Sequence, residues 1–136
     1  MKIFIICSKK FYDQIPDIQN ILESNGHTIT LPNCFNDPTT EKRYRNLSQE
    51  EHSKWKGEKL RHGAEIVKNN DAVLVLNFEK AGTKNYIGGA TFLEMYDAFR
   101  FGKKIFLYND IPEGMLKDEI NGFNPIIISG DLGRVS

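Results

Sequence analysis

Two kinds of apolar pattern alternate along the chain. Continuous runs at Lys2–Cys7, Ala72–Leu76, Lys104–Tyr108 and Pro125–Ile128 have the length and content of strands buried on both faces, as in a parallel sheet. Thr28-Ile29-Thr30-Leu31 alternates polar with apolar and stops at Pro32, the pattern of a shorter strand. Between these runs the apolar residues recur at helical spacing. Phe11, Ile15, Ile18 and Leu22 share one face up to Asn25-Gly26, and Pro16, best tolerated in a first turn, sets the start of that helix near Ile15. Ser48-Gln49-Glu50-Glu51 is a capping-box pattern opening a long helix, with Trp55, Leu60, Ala64 and Val67 as its apolar stripe and Asn69-Asn70 as its end. A further helix follows Gly88-Gly89, with Phe92, Met95 and Phe99 on one face and Gly102 closing it. The last, over Glu113 to Asn121, is short and carries Met115, Leu116 and Ile120. Asn33 to Leu47 shows no period and reads as a loop. A loop of that length in a compact domain is as often functional or mobile as it is idle surface, and its Arg43, Tyr44 and Arg45 could reach a phosphate or stack on a ring.

Strands that alternate with helices require parallel pairing through right-handed crossovers. The expected fold is therefore α/β: one domain over residues 1–136, a flavodoxin-like or Rossmann-like three-layer sandwich around a five-stranded parallel sheet in the order 2-1-3-4-5. In that order the switch point lies between the first and third strands, where ligands of such sheets bind at the carboxyl ends. The loops that open there are Cys7-Ser8-Lys9 and Asn77 to Gly89.

Composition narrows the partners. Lysine plus arginine and aspartate plus glutamate are both 18, for a formal net charge of zero, which argues against a nucleic-acid polymer or an anionic membrane as the main partner. No apolar run approaches the length of a membrane span. The opening residues Met1–Cys7 lack the long apolar region and cleavage site of a secretory leader and read as a strand, so a cytoplasmic protein is expected. Cys7 and Cys34 form no metal or redox motif. His52 and His62, ten positions apart on one helix, are too far apart in register for a metal pair and read as surface or boundary residues. No metal and no cofactor is called for.

The candidate chemistry gathers around Gly88-Gly89-Ala90-Thr91-Phe92-Leu93-Glu94. Two adjacent glycines before a helix either supply positive φ or let a ligand approach the backbone closely. The loop is neither a Walker A nor a G-x-G-x-x-G motif, which disfavours an NTPase or a dinucleotide dehydrogenase. Glu94 has two readings. Thr91-x-x-Glu94 fits a capping box, which needs no chemistry. A carboxylate one turn into a helix at the crevice is also favoured in its ionised form by the helix dipole and suited to attack an anomeric carbon. Asn77, at the end of the central strand, could contact a ribose or base edge or simply begin the loop. Ser8 could contact a phosphate or hydroxyl, with an idle reading of equal weight. Asp71, at the opposite end of the same strand, reads as a polar cap.

Taken together, Asn70-Asp71-Ala72-Val73-Leu74-Val75-Leu76-Asn77, then Asn85-Tyr86-Ile87-Gly88-Gly89-Ala90-Thr91-Phe92-Leu93-Glu94-Met95, Ala98, Gly26-His27 and the ending Pro125-Ile126-Ile127-Ile128-Ser129-Gly130-Asp131-Leu132 resemble the nucleoside 2-deoxyribosyltransferase superfamily. The likeness is nearest to the small uncharacterised proteins grouped with it. The resemblance implies that Glu94 is the nucleophile that takes a deoxyribosyl group from a base, and that Asp71 is a supporting catalytic residue. Ser8, Asn77, Gly88, Gly89 and Tyr86 would bind the substrate, a small-molecule nucleoside or nucleotide. A homo-oligomer is implied as well. The chain departs from the family's transferases at two places. Ile5-Ile6-Cys7-Ser8 stands where they carry a tyrosine that orients the glutamate, a role open to Tyr12 or Tyr86. Tyr86-Ile87 stands where they carry an aspartate for the incoming base. Hydrolysis is thereby favoured over base exchange. The other class of function is a non-catalytic nucleotide-binding module with Glu94 as a helix cap.

Overall fold

Five strands, β1 (Lys2–Ile6), β2 (Thr28–Thr30), β3 (Ala72–Val75), β4 (Lys104–Leu107) and β5 (Ile126–Ile127), form the sheet of the computed structural model, which describes residues 1–136. They lie in the order β2-β1-β3-β4-β5, and every neighbouring pair is parallel. The register pairs Ile3 with Ala72 and Ala72 with Lys104, so the three central strands are aligned end to end. Period-two alternation then divides the core. Ile3, Ile5, Ala72, Leu74 and Phe106 point to one face, where they meet Ile15, Ile18 and Leu22 of helix α1 (Ile15–Ser24) together with Leu132 and Val135. Phe4, Ile6, Val73, Val75, Ile105 and Leu107 point to the other, against Val67, Met95, Ala98 and Ile120. Those four come from α3 (Gln49–Lys68), α4 (Gly89–Arg100) and α5 (Lys117–Gly122). The result is the expected three-layer sandwich with the expected strand order.

Three elements differ from the sequence reading. The supposed loop Asn33–Leu47 contains a helix, α2 (Thr40–Leu47), with no buried residue. Its pattern carries no apolar stripe because α2 packs on α3 largely through polar and aromatic contacts. Glu41 receives Lys56 at 3.0 Å and His52 at 2.9 Å, and Tyr44 stacks on Trp55 with ring centroids 5.8 Å apart. Residues Lys9–Gln14 form a 3-10 helix with Ser8 as its cap. On α4 the buried face is Thr91, Met95 and Ala98, not Phe92, Met95 and Phe99; Phe99 is half exposed and packs beside Phe123. No helix is long and apolar enough to cross a membrane.

Candidate functional site

The helices that follow β1 and β3 lie on opposite faces of the sheet, and a cavity of about 290 Å³ opens at the carboxyl end of β1. Its floor is Ile6, Cys7 and Ser8, which continue β1, and one wall is the start of α4 from Gly88 to Thr91, with Glu94 one turn further in. The facing wall is α3, through Trp55, Lys56, Lys59 and Leu60, and the rim includes Asn33, Cys34 and Glu41. Tyr12 and Tyr86 complete an aromatic lining with Trp55.

Gly88 is the N-cap of α4 with φ −81°, and no side chain caps the helix. Positive φ belongs instead to Ala81, Gly82 and Asn85 in the loop before it, so the two glycines do not supply a left-handed turn. A Cβ on Gly88 would meet the Tyr86 hydroxyl at 3.4 Å, while one on Gly89 would project into open space. The first-turn N–H groups of α4 thus border the cavity without side-chain acceptors, an arrangement that favours an anion. Thr91 lies within the helix, so the capping-box reading of Glu94 is wrong: Glu94 caps nothing.

Glu94 leans from α4 onto α3. Its Oε2 lies 3.0 Å from where a Cβ on Gly63 would stand. Burial is the main reason its carboxyl is pushed up from 4.5 to about 8; Asp97 on the same helix adds to the rise, and Lys56 opposes it. No hydrogen bond to the carboxylate counters the desolvation. The helix dipole suggested a group that ionises readily, but desolvation acts in the opposite direction and raises the carboxyl.

The other ionisable groups are strongly differentiated. Burial alone would raise the Glu41 carboxyl, yet hydrogen bonds from His52 and Lys56, with the charges of Lys56 and Arg45, hold it at about 2. The Cys7 thiol is pushed up to about 12 by burial and then by Glu94, away from the thiolate form that reactive cysteines use. Burial also raises the Tyr12 phenol, followed by Cys7, Cys34 and Glu94, which keeps it a hydrogen-bond donor. Four lysines (Lys9, Lys56, Lys59 and Lys80) border the cavity against two glutamates. Lys80 rests 4.6 Å from the centre of the Tyr86 ring.

Of the residues singled out from sequence, Glu94, Ser8, Gly88, Gly89 and Tyr86 converge on this cavity. Asn77 and Asp71 do not. The Asn77 side chain is fully buried and spent on the backbone after β4, donating to Asn109 O at 3.1 Å and Asp110 O at 2.9 Å and accepting from Asn109 N at 2.8 Å. It has no group left for a ligand. Asp71 sits at the amino end of the sheet, where its carboxylate accepts from Lys2 N at 2.8 Å, so a supporting catalytic role does not fit its position. Arg43 and Arg45 turn to Asp37 and Glu41, and Tyr44 to Trp55, outside the cavity. His52 bonds Glu41, and no cluster of His, Cys, Asp and Glu could hold a metal ion. Sequence reasoning missed Trp55, Lys56 and Lys59 as site residues. Lysines one and four positions after the tryptophan that leads an apolar stripe were the available sign of a helix lining a polar crevice.

No known family model matches the chain, and no curated protein does. Among solved structures, the CMP N-glycosidase BcmB of Clostridium botulinum superposes with a TM-score of 0.52 at 18% sequence identity, over 99% of this chain and 93% of that one. At that identity the likeness is one of fold.

Proposed function

We propose that this protein hydrolyses the N-glycosidic bond of a nucleoside monophosphate, with Glu94 as the nucleophile. The observation that carries the reading is a carboxyl group without a hydrogen-bond partner, Glu94, half-buried at the head of a cavity between the free end of α4 and the aromatic side chains of Tyr12, Trp55 and Tyr86. The resemblance to the nucleoside 2-deoxyribosyltransferase superfamily and a fold shared with a CMP N-glycosidase support it. Within the proposal, residues 1–136 are one domain of that superfamily, acting on the cytoplasmic nucleotide pool, and a second copy of the chain packs on the exposed Leu93, Tyr96 and Phe99 of α4.

In the proposed reaction the base stacks among the aromatic rings. The excess of lysines and the first-turn N–H groups of α4 take the phosphate. Once ionised, the Glu94 carboxylate attacks C1′ and the bond to the base breaks. The resulting glycosyl ester is hydrolysed by water, which returns the carboxylate. Ser8, Gly88 and Gly89 line the sugar's side. The segment Tyr86-Ile87, without the aspartate that transferases of the superfamily carry, favours water over a second base as acceptor.

The test is incubation with ribo- and deoxyribonucleoside monophosphates, CMP among them, and with the free nucleosides, each with and without a second base. Free base in every tube supports hydrolysis, and a new nucleoside would mean transfer. If neither forms, while calorimetry detects nucleotide binding that Glu94→Gln leaves intact, the protein is a binding module and the catalytic reading is overturned.

A further inference from the structure

We infer that Gly63 is a positioning residue for Glu94: the missing side chain in the C-terminal half of α3 is the recess that holds the glutamate's carboxyl group at the cavity. The inference rests on the catalytic reading of Glu94 but concerns a residue that reading does not use. Glycine in a helix interior is unfavourable relative to alanine, and α3 carries two, Gly57 and Gly63. They stand in different surroundings. At Gly57 a Cβ would meet only the Arg61 guanidinium, at 3.8 Å and 3.9 Å. At Gly63, which is buried between Trp55 and Val67 on the inner face of the helix, a Cβ would meet Glu94 Oε2 at 3.0 Å and its Cδ and Cγ at 3.6 Å. Three consecutive atoms of one side chain are thus fitted against one absent methyl group. No hydrogen bond restrains the same carboxyl, so the contour of α3 sets where its oxygens lie. Lys59 and Leu60, one turn earlier on α3, line the cavity, which places the recess at the cavity's inner edge.

Filling the recess would push the carboxyl outward, toward solvent in the cavity and away from its attacking position. Gly63→Ala is therefore compared with Gly57→Ala, which brings the same gain in helix propensity without touching Glu94. The Glu94 titration is followed by carbon-detected NMR in the full-length protein, and kcat and KM are measured on the best monophosphate. The expected result for Gly63→Ala is a titration midpoint lowered by about one unit or more and a kcat reduced at least about tenfold at similar KM, with Gly57→Ala unchanged in both. A Gly63→Ala protein indistinguishable from Gly57→Ala in midpoint and in kcat overturns the inference. If no nucleotide is turned over by the parent protein, the functional reading fails, and the NMR midpoint alone still decides whether Gly63 sets the carboxyl. Should Gly63→Ala fail to fold, the substitution is placed in a Glu94→Ala background. Recovery of folding there supports the inference, and continued failure overturns it.

Discussion

A carboxyl group set between two helices, with no hydrogen bond to its charged form, gives up its proton less readily, and Glu94 is pushed up to about 8 on that account. Stability follows with a definite sign. The folded value lies above the ordinary 4.5, so the contribution is fully present below that value. It is lost progressively as pH rises through about 8, because the unfolded chain ionises there first. Glu94→Gln removes the ionisable group. The variant should lose turnover yet be more stable than the parent at neutral pH, by up to about 3 kcal/mol, with the difference vanishing near pH ~4. Urea denaturation at the two pH values checks this, and a variant less stable at neutral pH would contradict it. The same titration separates two catalytic roles. A nucleophile must be ionised, so kcat/KM should rise with pH to a midpoint near 8. A fall through that midpoint would instead make Glu94 a proton donor to the leaving base.

At the scale of elements, α2 is the segment most dependent on a single side chain. It buries no residue, and Glu41 ties it to α3 through His52 at 2.9 Å and Lys56 at 3.0 Å while accepting from its own Arg45 at 3.3 Å. Because Glu41 is held at about 2, below its ordinary 4.5, its contribution is present above 4.5 and lost as pH falls through about 2. Partial exposure limits its size. Glu41→Gln should cost on the order of 1 kcal/mol and speed amide exchange in α2 above all other helices. Exchange mass spectrometry reads the local effect. Uniform acceleration across the fold would mean that α2 is not a separate unit. The missed helix is instructive in the same terms: periodicity detects helices that bury an apolar stripe, and α2 is held by ion pairs and one aromatic stack. Asn77 shows a related limit. Its amide could serve a ligand or the chain, and only the position of Asn109 and Asp110 across the sheet decided for the chain.

For the molecule as a whole, charge balance conceals a local excess. The chain has a formal net charge of zero, but four lysines and two glutamates border the cavity, and the carboxyl of one of those glutamates is raised. An anionic substrate should therefore bind more weakly as salt rises, while a free nucleoside should not. KM for a monophosphate measured from about 0.05 to 0.5 M salt should climb several-fold, against a flat profile for the nucleoside; parallel profiles would remove the phosphate from the proposal. Leu93, Tyr96 and Phe99 project from α4 with relative exposures of 42%, 45% and 50%, an apolar surface of the kind that marks an interface. Phe99→Glu should shift the protein to monomer in sedimentation velocity at unchanged fold, and a parent protein already monomeric at high concentration would end the oligomer proposal.

The apolar runs and their alternation with helices were enough, by themselves, to determine the class of fold, the strand order and the end of the sheet where the cavity opens. Burial on both faces leaves a continuous signature in a strand, and the crossover rule then leaves few topologies open. The same reasoning placed Gly88, Gly89, Glu94, Ser8 and Tyr86 at one crevice, because each lies within a few residues of a strand's carboxyl end or the helix that follows. The tertiary structure alone decided what surrounds those residues. Whether Glu94 caps its helix depends on where α4 begins, at Gly88, and where its carboxyl titrates depends on desolvation, Asp97 and Lys56; whether Asn77 and Asp71 are free depends on backbone groups of neighbouring strands. Hydrogen-bond partners and desolvation are properties of residues distant in sequence, and no local pattern encodes them.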